Sequence, residues 1–64
     1  MSENDLLMLD IFVKLYGLPE VLRGLSKICE DQSNAIAGFD AHQAKELTAY
    51  SVHLVNFAAE LEYA

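Results

Sequence analysis

The chain has 64 residues, a net charge of −6 and a single cysteine, so it forms one domain (1–64) with no intrachain disulfide. A domain of about 60 residues buries only about 60% of its unfolded surface, and scaffolds this small rely on disulfides, a metal, oligomerisation or very regular helix packing. Ten acids against four bases, with Lys14, Arg23, Lys27 and Lys45 scattered along the chain, exclude the clustered cations that nucleic acid and anionic membranes require.

Hydrophobic residues make up 53% of the chain, above the roughly 45–50% typical of soluble domains. With no staple to support so small a core, that excess points to a homodimer or higher oligomer. The acidic N-terminal residues and the lack of a small-residue cleavage site after the apolar stretch give no expectation of a secretory signal. The apolar run Leu6–Tyr16 is broken by Asp10 and Lys14 and is too short to span a bilayer. The expectation is a cytoplasmic protein, and the lone Cys29 suits a reducing compartment. Cys29 reads as a core filler, since free cysteine packs as a small hydrophobe.

The first helix is expected over about 3–16. Ser2 caps it, and Asp5 three residues on completes a variant capping box. Gly17 is expected as a left-handed C′ residue, with Leu18 folding back onto the helix. Glu3, Asp10 and Lys14 form one narrow polar stripe, while Leu6, Leu7, Met8, Leu9, Ile11, Phe12, Val13, Leu15 and Tyr16 surround the rest. A surface helix has one apolar stripe, so this one needs cover on two sides. One side is expected to cover the other two helices, and the other to meet a second copy through Met8, Ile11, Phe12 and Leu15.

Pro19 suits the first turn of a second helix, expected over 19–37. Val21, Leu22, Leu25, Ile28, Cys29, Gln32, Ala35 and Ile36 recur every three or four residues as its inward face. Gly38 ends it. Asp40 caps a third helix over 41–62, with Gln43 as its capping-box partner and Phe39 stapled onto Ala44. Ala44, Leu47, Ser51, Leu54, Ala58 and Leu61 then make a heptad seam, with small residues at alternate places that allow close approach. Nothing alternates with the period of a strand. The fold class is all-α, a three-helix unit dimerising into a helical bundle.

His42, Glu46, His53, Asn56 and Glu60 share the helix face opposite this seam. The histidines are eleven residues apart, about 16 Å along a helix, and cannot ligate one ion. No metal site, cofactor or catalytic set is expected: the glycines stand singly, and no nucleophile–base spacing is recognisable. Glu46, His53, Asn56 and Glu60 remain as a surface for an unidentified protein partner.

The stretch Gly17–Cys29 reads "GLPEVLRGLSKIC" and fits a G-L-x-x-V-L-x-x-L-x-x-I-C pattern. In this it resembles small uncharacterised helical proteins of bacteriophages and cyanobacteria. The resemblance implies a helical accessory protein and brings no active site with it. The function expected is a small, acidic, non-enzymatic interaction module that binds or modulates a cellular or host protein. Two other readings are a phage-type inhibitor whose carboxylates occupy the basic groove of a nucleic-acid-binding defence complex, and a small enzyme with a dimer-interface active site.

Overall fold

The computed structural model describes residues 1–63 as three helices, α1 (Glu3–Tyr16), α2 (Leu18–Ile36) and α3 (Ala41–Tyr63). The chain is all-α, and the described residues contain no strand. Their ends follow local chemistry. Before α1, the Asp5 N–H donates to Ser2 Oγ at 3.2 Å and the Ser2 N–H donates to Asp5 Oδ2 at 3.0 Å, which closes a reciprocal capping box. The hydrogen bond from the Ser2 backbone, and secondarily one with its side chain, holds the Asp5 carboxyl below its ordinary pKa.

Gly17 ends α1 and starts α2 in a single residue. Its N–H donates to Val13 O at 2.8 Å, and its carbonyl accepts from Val21 N–H at 3.2 Å. The φ of +85° favours glycine, but the ψ of 153° lies outside the left-handed helical region. The expected C′ geometry is therefore absent, and Leu18 enters α2 at once instead of folding back. Between α2 and α3 the Ile36 carbonyl accepts from both Phe39 N–H (2.9 Å) and Asp40 N–H (2.8 Å). Asp40 Oδ1 caps α3 by accepting from Gln43 N–H at 2.9 Å. Phe39 is 92% exposed, so the expected staple onto Ala44 does not form.

The α2 and α3 helices pair antiparallel along a seam of small residues. Its buried members are Leu22, Ser26 and Ser33 from α2, with Ala44, Ser51 and Ala58 from α3. Ser26 Oγ donates to the Ser51 carbonyl and lies 2.8 Å from Ser51 Oγ. Ser33 Oγ donates to the Ala44 carbonyl at 2.7 Å and lies 2.8 Å from Thr48 Oγ1. Hydroxyls that bond across the seam offset the cost of leaving water, and no buried side-chain polar atom among the described residues lacks a partner. Arg23 on α2 pairs with Glu62 at the end of α3.

This corrects the expected inward face of α2. Ser26 and Ser33 meet α3, Leu22 stays in the seam and Cys29 is half-buried. Leu25, Ile28, Gln32 and Ala35 lie exposed. On α3 the heptad positions do face the partner helix, with Ala44, Ser51 and Ala58 buried, Leu47 and Leu54 half-buried, and Leu61 at the rim.

The place of α1 is a second correction. It packs on α2 alone, near the Gly17 corner, and does not reach α3. Its apolar sides therefore do not cover both other helices. The chain measures 37 × 32 × 13 Å with a radius of gyration of 13.4 Å, against about 11 Å for a compact domain of this length.

Two expectations follow. In chemical denaturation, Ser26→Leu lowers stability by about 1–3 kcal/mol by overpacking the seam, while Ser26→Ala lowers it by about 1 kcal/mol. The second concerns pH. The folded-state pKa of Asp5 is depressed, so its contribution is present above the unfolded value of about 3.9 and lost as pH falls through the folded value. Amide-exchange protection in the first turn of α1 should therefore drop on acidification below about pH 4, and Ser2→Ala should remove that protection at neutral pH already.

Candidate functional site

The α1–α2 corner holds an apolar cleft of about 290 Å³. Leu9, Phe12 and Tyr16 of α1 line one wall, and Val21, Leu25 and Ile28 of α2 the other, together with Glu20 and Gly24. The geometry follows from the serine seam. At about 100° per residue, Ser26 and Ser33 turn one side of α2 to α3, and the bulky Val21, Leu25 and Ile28 are left on another side, facing α1. Gly24 lines the cleft beside open space, and a Cβ built there would touch nothing within 4 Å. Phe12 and Tyr16 stack one turn apart, with ring centroids 6.4 Å apart and planes tilted by 31°.

Met8, Ile11, Phe12 and Leu15 are all exposed, but they do not form one patch. Phe12 looks into the cleft with Leu9 and Tyr16. Ile11 and Leu15, with Leu7, lie outside the cleft, at exposures of 51%, 68% and 59%. Met8 is exposed too and does not line the cleft. Leu25 and Ile28 looked like ordinary core positions because they are apolar at helical spacing. What displaced them was the serine pair, which a count of apolar residues does not register.

The polar face of α3 is open. His53, Asn56 and Glu60 are exposed, and Glu46 is half-buried. His42 Nε2 lies 3.1 Å from Glu46 Oε1, an i,i+4 pair at the surface. No group of three or more His, Cys, Asp or Glu residues is placed to hold a metal ion among the described residues, and no helix there is long and apolar enough to cross a membrane.

Three of the four cations are tied to acids. Lys14 pairs with Asp10 (2.7 Å), Lys27 with Asp31 (3.2 Å), and Arg23 with both Glu20 (3.4 Å) and Glu62. The hydrogen bond to Glu62 is the main reason the Arg23 guanidinium is held more firmly protonated than usual, and the bond to Asp31 does the same for Lys27. Such exposed pairs contribute little stability, but they neutralise the positive charge that a phosphate backbone would need.

No known protein family, curated protein or solved structure matches this chain.

With so few unpaired cations, a fluorescent duplex DNA or RNA should stay unbound in a polarisation titration at physiological salt. A salt-sensitive micromolar affinity would contradict this electrostatic reading.

Proposed function

We propose that this chain is a small, non-enzymatic interaction module that works as a homodimer and binds or modulates a cellular or host protein. One observation supports the reading above all others: among the described residues no large apolar side chain is fully buried, and α1 holds Leu7, Ile11, Leu15 and Tyr16 in the open. Apolar surface on this scale marks an interaction site. The cleft is apolar and carries a single carboxylate, that of Glu20, which gives acid–base chemistry no converging pair of groups.

In this reading the apolar faces serve self-association. The polar face of α3, with Glu46, His53, Asn56 and Glu60, stays free for the second protein. A face rich in carboxylates favours a basic target and makes its capture sensitive to salt. The likeness of Gly17–Cys29 to small phage and cyanobacterial proteins fits an accessory role.

Light scattering at micromolar concentration should return at least twice the 7.1 kDa chain mass. Phe12→Ala should lower the thermal midpoint and make it strongly concentration-dependent, because folding and association are linked by mass action. Asp10→Ala, on the polar stripe, should leave both nearly unchanged. A monomer with an unaltered midpoint in Phe12→Ala would overturn the reading.

A further inference from the structure

The small-residue seam leaves a second stripe on each helix of the hairpin. Along α3, Leu47, Tyr50, Leu54, Phe57 and Leu61 follow one another at spacings of 3, 4, 3 and 4. At about 100° per residue, they lie about 40–120° round the helix from the buried Ala44, Ser51 and Ala58, all in one rotational sense. Along α2, Leu18, Leu25, Cys29 and Ile36 lie about 40–80° round from the buried Leu22, Ser26 and Ser33, in the same sense. In an antiparallel pair, residues displaced in the same sense come to the same side. Arg23 and Glu62 show this for the opposite sense: both are displaced that way, and they pair across the hairpin.

The two stripes therefore share one side of the hairpin, and neither contains a charged residue. The other side carries Arg23, Lys27 and Glu30 from α2 and Lys45 from α3, and the exposed Val52 and Val55 belong to it. The α1 helix meets α2 further round, at Val21 and Ile28, and does not reach α3. It leaves Tyr50, Phe57 and Leu61 uncovered, at exposures of 49%, 47% and 37%.

We propose that this uncharged side of the α2–α3 hairpin is the homodimer interface, and that two hairpins stack face to face as a four-helix bundle with the α1 helices outside it. The inference rests on the homodimer reading above and locates its contact. It places that contact on α2 and α3 instead of the α1 residues that the sequence alone suggests. Heptad stripes on two adjacent helices suit packing at about 20° against a second helix pair, whereas α1 offers a single ridge. A two-fold axis sets the face against itself, so a second copy supplies the complement without further design. Each copy carries −6, and two copies meet at least electrostatic cost on the side without carboxylates. A basic partner would find nothing there to pair with. A contact of standard size takes about 800 Å² from each partner. The protomer has that to give, since it exposes 4946 Å² against about 4,100 Å² for a compact chain of 7.1 kDa.

The test is sedimentation equilibrium on the full-length chain. Phe57→Glu should raise the dimer dissociation constant by about 100-fold or more, because an unpaired carboxylate would enter a desolvated contact, and the resulting monomer should keep its helical circular dichroism. Val52→Glu on the charged side and Ile11→Glu on α1 start from similar exposures of 53% and 51% and should stay within about threefold of the parent. Added salt should tighten the dimer by screening the repulsion between two chains of −6. Isotope-filtered NMR on a mixture of labelled and unlabelled parent chain needs no substitution, and decides the matter if Phe57→Glu loses helicity. Its intermolecular contacts should reach the rings of Tyr50 and Phe57.

If the parent is a dimer that Ile11→Glu or Val52→Glu dissociates while Phe57→Glu does not, this interface is overturned and the homodimer reading survives. The same holds if the intermolecular contacts fall on α1 or on Val52 and Val55. If the parent stays monomeric at millimolar concentration, both fall together.

Discussion

The hydroxyl of Ser26, set between α2 and α3, fixes how the rest of the molecule is arranged. It bonds the Ser51 carbonyl and faces the Ser51 hydroxyl, and Ser33 repeats the device two turns further on with Ala44 and Thr48. Residues this small let two helices approach closely, and their polar atoms are satisfied where they meet. The seam thus holds through hydrogen bonds and close contact, with Leu22 as its only bulky buried member.

That choice moves the larger side chains elsewhere. A helix with a small-residue seam must carry its bulky residues on its flanks, and α2 does so with Val21, Leu25 and Ile28. These positions face α1 across the cleft at the corner. The Gly17 corner sets the angle: its single residue bonds back to Val13 and forward to Val21, which leaves no slack for α1 to fold down onto α3. An extended protomer with open apolar walls is the direct outcome of a tight hairpin and a one-residue corner.

The helices themselves were legible in the sequence, because their ends are written in local chemistry. Ser2 with Asp5, Gly17 before Pro19, and Asp40 before Gln43 each mark a terminus, and the observed limits differ from the expected ones by a residue at most, within the ordinary fraying of helix ends. The heptad of α3 was legible too, since Ala44, Ser51 and Ala58 keep strict spacing. The partner face of α2 was not. Apolar periodicity selects Leu25 and Ile28, and it passes over Ser26 and Ser33, whose burial depends on acceptors supplied by another helix. The destination of α1 was hidden for a different reason. A helix that is apolar on most sides shows that it needs cover, but nothing in its own residues distinguishes cover from its own chain and cover from another. The cleft, formed by residues of both α1 and α2, had no signal in either segment alone.

The serine-bonded hairpin also has a bearing on the order in which the chain acquires structure. Its contacts join segments separated by a short turn, and proteins dominated by such local pairings fold quickly, in microseconds to milliseconds. The α1 helix shares little surface with that unit, and its formation contributes little to the hairpin's transition state. A nascent chain would therefore secure α2 and α3 on its own timescale, while α1 remains a separate cooperative unit.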